Sequence, residues 1–169
     1  MILIIVSMLL TKDEFVLKIF YHHYTPYFLN VFKLVFFIMP FYLILYLIKD
    51  ALTFKVIFIV HLVLLFIFIA LLIYLTLIYW LDRLVITNKR VIFIDWKYLT
   101  VKKISEVEFG DIIDVEVHTS GIFSKFKFLD FGSIDLLTST SKVAISFPQA
   151  AYPIKLRTYI QSLTDLYKK

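Results

Sequence analysis

Two hydrophobic patterns divide the chain. From Val56 to Leu81, VIFIVHLVLLFIFIALLIYLTLIYWL is apolar apart from His61 and Thr76. At a rise of about 1.5 Å per residue, a helix of this length more than covers a hydrocarbon core of about 30 Å. Being apolar on every face, it suits lipid better than the surface of a soluble domain. The pattern predicts a membrane-spanning helix over 56–81. A first span is expected over 27–48. Leu34 to Ile48 alone is too short, so Asn30 and Lys33 fall in its opening turns. There Lys33 can extend to the headgroups, avoiding the cost of about 2.5–3.5 kcal/mol at the bilayer centre. Pro40 removes a backbone hydrogen bond and predicts a kink near the middle. The short polar connection KDALTFK, residues 49–55, makes the pair an antiparallel hairpin.

Beyond Leu81 the pattern changes to alternation, the mark of strands with one buried face. Arg83–Thr87 and Val91–Asp95 are expected as strands around an Asn88-Lys89-Arg90 turn. Asp95-Trp96-Lys97 is expected to turn the chain into a strand from Tyr98 to Ile104. In Ile112–Thr119, Ile113, Val115 and Val117 alternate with Asp114, Glu116 and His118. Asp130–Thr138 places Ile134 and Leu136 on one face, and Val143, Ile145 and Phe147 alternate again. A final helix over 153–167 starts at Pro153, and its apolar stripe is Leu156, Tyr159, Ile160, Leu163, Leu166 and Tyr167.

Ahead of the hairpin, residues 1–26 form an N-terminal segment. MILIIVSMLL is too short to span and lacks the basic start and cleavage site of a signal peptide. It either lies in the membrane interface or precedes a true start at Met8. EFVLKIFY, Glu14 to Tyr21, is either a short strand or an interfacial segment. The adjacent His22 and His23 have no third ligand at a recognisable spacing and are expected as membrane-surface side chains.

Composition sharpens this division. Of 169 residues 61% are hydrophobic, against roughly 45–50% in soluble domains. There is no cysteine, which excludes disulfides, thiolate metal sites and cysteine nucleophiles. Lys12, Lys18 and Lys33 before the hairpin and Arg83, Lys89 and Arg90 after it outnumber Lys49 and Lys55 in the loop. This asymmetry places both termini in the cytoplasm of a cell-membrane protein with two spans. From Asp82 onward thirteen Lys/Arg face ten Asp/Glu, too little basic surface for a nucleic-acid binder.

No nucleophile, metal or phosphate-loop signature stands out, and neither an enzymatic activity nor a cofactor is expected. Gly110, Gly121 and Gly132 punctuate strands. Asp111, Asp114 and Glu116 are the acidic residues an acid/base or cation group would draw on, but alternation puts Asp114 and Glu116, with His118, on a solvated strand face. The candidate contacts to lipid or partner are basic: Arg83, Lys89, Arg90, Lys102, Lys103, and Lys125 and Lys127 in the aromatic loop IFSKFKFL, Ile122 to Leu129; the competing reading of the groups at 83–103 is a solvated face that only sets topology. That loop either meets the membrane interface or folds onto the core.

ITNKRVIFID, EVEFGDII, DVEVHTSGIFSKF and FGSIDLLT, after a two-helix hairpin and before a C-terminal helix, resemble the bacterial PH-like membrane proteins of the bPH2 type. The resemblance covers roughly Glu14 to Leu166. It implies a membrane α-helical hairpin plus a mainly-β PH-like domain over 82–169: a bent antiparallel sheet or split barrel of about seven strands, capped by the C-terminal helix. Such proteins usually place a glycine after the second strand, where Asp95-Trp96-Lys97 stands here. No catalysis or cofactor comes with the resemblance. The function expected is a membrane-anchored binding or scaffold module, its partners being the bilayer, anionic lipid headgroups, a protein or a second copy of itself. The alternative is a small transport or channel subunit built by oligomerisation of the hairpin, although the spans lack acidic residues and small-residue packing motifs.

Overall fold

The computed structural model describes residues 10–119, 130–139 and 143–168. The chain separates into two compact units, Tyr24–Tyr79 and a second one combining Met1–His23 with Trp80–Lys169.

The first unit is a pair of helices, α1 (Tyr24–Leu47) and α2 (Phe54–Leu81, whose last two residues fall in the other unit), joined through a 3-10 turn at Lys49–Ala51. Both are long and apolar enough to cross a membrane. Pro40 lies inside α1, which is helical on either side of it. Tyr27 meets Thr76 (3.0 Å between hydroxyls) and the Tyr79 ring (4.9 Å), while Tyr42 meets His61 edge-on (5.1 Å). An early residue of α1 thus faces a late one of α2, and a late one an early one, so the helices run antiparallel. Their large outward side chains, Phe37, Phe58 and Phe66 among them, are exposed. An exposed apolar surface of this extent marks contact with a membrane or with another protein.

The second unit is a mainly-β domain. Strands β1 (Val16–Phe20), β2 (Arg83–Thr87), β3 (Arg90–Tyr98) and β4 (Val101–Glu108) form an antiparallel sheet in that order. Strands β5 (Ile112–Thr119), β6 (Phe131–Thr138) and β7 (Ile145–Ala151) form a second antiparallel sheet, and helix α3 (Pro153–Tyr167) follows. Leu84, Ile86 and Phe93 from the first sheet, Val115, Ile134, Leu136 and Phe147 from the second, and Leu156 and Ile160 from α3 share one core. β2 is buried at all five positions because Val85 faces a second apolar cluster with Ile92 and Ile94.

Several sequence expectations change here. The segment from Glu14 to Tyr21 is a strand, and it belongs to the domain whose expected start was Asp82: β1 pairs with β2, Ile19 opposite Val85. Asp95-Trp96-Lys97 is not a turn. β3 runs through it to Tyr98, and the chain reverses at Leu99-Thr100. Asp95 and Trp96 stay in register with Lys103 and Lys102, and the Asp82 carboxylate holds the Trp96 amide at 2.6 Å. In β5 an irregularity between Ile112 and Asp114 shifts the alternation, so Ile112 is buried with Val115 while Ile113 is 63% exposed. In α3 the inward line is Leu156, Ile160 and Thr164, and Leu166 is exposed. A threonine can occupy that line because its hydroxyl donates to the Ile160 carbonyl at 3.0 Å, leaving only a methyl for the core.

Candidate functional site

The first question is which of the basic residues are available to a ligand. Arg90, at the start of β3, is not a surface group. Its guanidinium makes a two-pronged contact with Glu14, Nε to Oε1 and Nη2 to Oε2 at 3.0 Å each, and Nη1 reaches Glu106 at 2.8 Å. The Glu14 side chain is fully buried. It also accepts the Thr87 hydroxyl (2.8 Å) and both the amide and the hydroxyl of Thr11 (2.9 Å each). Burial pushes this carboxyl up, but the hydrogen bonds from Arg90, Thr11 and Thr87 outweigh it and hold its pKa at about 2. Asn88 completes the attachment: its side chain accepts the Phe15 amide at 3.0 Å and donates to the Asp13 carbonyl at 3.1 Å. The Thr87-Asn88-Lys89-Arg90 run therefore fastens the N-terminal segment to the β2–β3 turn.

Arg83 is likewise committed. It is buried, donates through Nε and Nη2 to the Trp80 carbonyl (3.1 and 3.0 Å), and lies 4.9 Å from the Tyr21 ring. The Lys89 ammonium is exposed but donates to the Lys12 carbonyl. Lys125, Lys127 and the rest of the Ile122–Leu129 loop lie outside the described residues.

The histidine pair also moves inward. Both side chains are buried in the β domain rather than displayed at a membrane surface. His22 Nδ1 donates to the Pro148 carbonyl at 2.6 Å, its Nε2 lies 3.6 Å from Asp82, and its ring stacks on Phe147. The His23 amide donates to the Gln149 carbonyl at 2.7 Å and the ring stacks on Phe131. Burial lowers the His23 pKa, opposed by the nearby Asp130 charge. Their anchor is an irregular stretch of β7, where Gln149 adopts a left-handed φ of 55° and two residues stand opposite one on β6.

Among the described residues, the predicted cations Lys102 and Lys103 lie on open surface, on β4 next to the β3–β4 turn. The structure brings Lys97 to the same hairpin end. Between them are exposed apolar side chains: Tyr98 (61%), Leu99 (38%) and Val101 (49%). The alternation pattern does not show this grouping, because a turn expected at Asp95-Trp96-Lys97 separates Lys97 from the strand that carries Lys102 and Lys103. The available signal is the string Lys97-Tyr98-Leu99-Thr100-Val101-Lys102-Lys103 itself, apolar residues bracketed by lysines. Such a tip can place apolar side chains among lipid headgroups while its ammonium groups meet phosphates.

On β5, His118 lies 3.7 Å from Glu116 and 3.5 Å from Asp135, all on the outer face of the second sheet, as expected for a solvated strand. Asp114 caps the amide of Val115 at 2.7 Å. Among the described residues, no three His, Asp or Glu side chains gather as a metal site would require.

Comparison with known proteins adds the following. A family model described as Bacterial PH domain (bPH_3) matches residues 43–138, more than half of the chain. It is not the bPH2 type that the motifs resemble. Among solved structures, a DUF1696 family protein with a pleckstrin-homology domain from Shewanella loihica PV-4 is 24% identical, with a TM-score of 0.39 over 49% of this chain and 70% of that one. A pleckstrin homology domain from Shewanella amazonensis SB2B is 18% identical, with a TM-score of 0.40 over 49% of this chain and 66% of that one. No curated protein matches.

Proposed function

We propose, from the premise that the chain belongs to the bacterial PH domain family, that it is a membrane-anchored binding module without chemistry of its own. Helices α1 and α2 are its anchor in the cell membrane, both termini are cytoplasmic, and the β domain meets anionic headgroups through the β3–β4 hairpin end. The observation that carries the lipid reading is the exposure of Tyr98, Leu99 and Val101 between Lys97, Lys102 and Lys103. Each lysine close to an anionic surface contributes about 1 kcal/mol. The motif resemblance to the bPH2 type supports the same architecture. A protein partner at the same tip is the second reading, favoured by the same exposed apolar group.

The test uses the full chain in nanodiscs of neutral or anionic lipid, followed by hydrogen exchange. Anionic lipid should protect the amides of residues 97–103, and protection should fade as salt shortens the Debye length from about 10 Å at 0.1 M to about 3 Å at 1 M. Lys102→Gln with Lys103→Gln should remove most of it. Protection that is absent, or indifferent to lipid charge, would leave the protein-partner reading. For the anchor, the cysteine-free chain allows single cysteines: one at Thr53 should label from outside intact cells, and one at Ser139 should not.

A further inference from the structure

Elsewhere on the β domain, between β1 and α3, there is a cleft of about 330 Å3 lined by Lys18 to His22 on one side and by Ala151, Tyr152, Lys155, Leu156 and Tyr159 on the other. Its floor is apolar, with Leu156 buried and Phe20 and Tyr159 partly so. Its rim is cationic and aromatic. The Lys18 ammonium sits 5.0 Å from the Phe20 ring and 5.3 Å from that of Tyr159, and the Lys155 ammonium 5.0 Å from Tyr152. Among the described residues no carboxylate lines it.

The wall of this cleft is an edge strand. β1 is the first of the order β1-β2-β3-β4. Among the described residues, its far edge is met only past the strand end, where His22 bridges to Ala150. An edge strand directs alternate backbone amides and carbonyls outward, a template for one more strand. At about 3.3 Å per residue, Lys18 to Tyr21, the stretch short of that bridge, offers length for roughly four residues of an extended chain.

The geometry points to a docking site for an extended, acidic peptide segment that adds to the β1 edge, sets apolar side chains on the Phe20–Leu156–Tyr159 floor and meets Lys18 and Lys155 with carboxylates. Charge complementarity selects the occupant: a wholly acidic rim-seeking ligand would leave the apolar floor wet, and a basic one would meet two ammonium groups. Strand addition supplies affinity through the main chain, and pockets for alternate side chains supply specificity. This site is separate from the β3–β4 tip and does not depend on the lipid reading.

The experiment pans the full chain, in nanodiscs of neutral lipid, against a random hexapeptide library displayed on phage. Enriched sequences should alternate acidic with branched or aromatic residues. A synthetic enriched peptide should bind K18E or K155E about tenfold more weakly than the parent chain, both substitutions being at exposed positions. Exchanging its acidic residues for lysine should restore binding to the K18E/K155E double variant, and N-methylation of alternate amides should abolish binding. Panning that enriches nothing over empty nanodiscs overturns the proposal, as do peptides whose affinity ignores Lys18 and Lys155. If K155E instead loses capture of anionic vesicles while no peptide binds, the cleft serves headgroups and the peptide proposal fails.

Discussion

Replacing Glu14 by glutamine tests how the N-terminal segment is held to the β domain. The substitution keeps shape and removes charge at a carboxylate that takes five hydrogen bonds, two from Arg90. Removing one partner of a buried ion pair costs about 3–5 kcal/mol, chiefly because the other charge is stranded. Arg90 is not wholly stranded, since Glu106 remains 2.8 Å away. That carboxylate is half-exposed and worth about 0.2–1 kcal/mol. A loss of about 2–5 kcal/mol at pH 7 follows, or about 8–20 °C in melting temperature at roughly 4 °C per kcal/mol. The pH dependence separates this network from general damage. Glu14 has its pKa lowered from 4.5 to about 2, so its contribution is complete above about pH 4.5 and is lost as pH falls toward 2. The parent chain and Glu14→Gln should therefore converge across that window. The assay is thermal unfolding of the full chain in detergent, followed by tryptophan fluorescence, with Trp96 reporting from β3. Parallel curves from pH 6 to 2, or a difference under about 0.5 kcal/mol at pH 7, would refute the reasoning.

Three further outcomes are expected in the same assay. Ile160→Ala should cost about 2–5 kcal/mol through its cavity, because Ile160 is fully buried in the core, whereas Leu166→Ala should change little. Gly132→Ala should cost about 1–3 kcal/mol, since the added carbon would stand 2.5 Å from the His118 carbonyl oxygen on the neighbouring strand. His23 has a lowered pKa, so its neutral form supports the fold above about pH 6.5, and that support is lost as pH falls toward its folded value. His23→Phe should flatten the stability slope below pH 6.5, and an unchanged slope would assign it to another group.

What could be read from the sequence follows the range of each interaction. The spans and most strands are legible because they are set by local periodicity, which a chain displays residue by residue. Register irregularities are not: the pattern in Ile112–Thr119 offers Ile113 as a core residue as readily as Ile112, and only pairing with β6 decides between them. The basic residues show the same limit more sharply. In sequence, Arg83, Arg90, Lys102 and Lys103 are equivalent cations near a membrane exit. Arg90 leaves that set because Glu14, 76 positions earlier, comes to its guanidinium once β1 joins β2. Arg83 leaves it because the Trp80 carbonyl at the end of α2 accepts its guanidinium. No charge count separates a cation spent on a long-range internal partner from one left to a ligand. The β1–α3 cleft has the same origin. Lys18 and Lys155 are far apart in sequence, where Lys18 counts only toward the charge asymmetry of the hairpin, and they share a cleft because β1, ahead of the helical pair, joins the sheet beside the last helix. The site is therefore a consequence of topology, and its two lysines are the residues on which the peptide proposal stands.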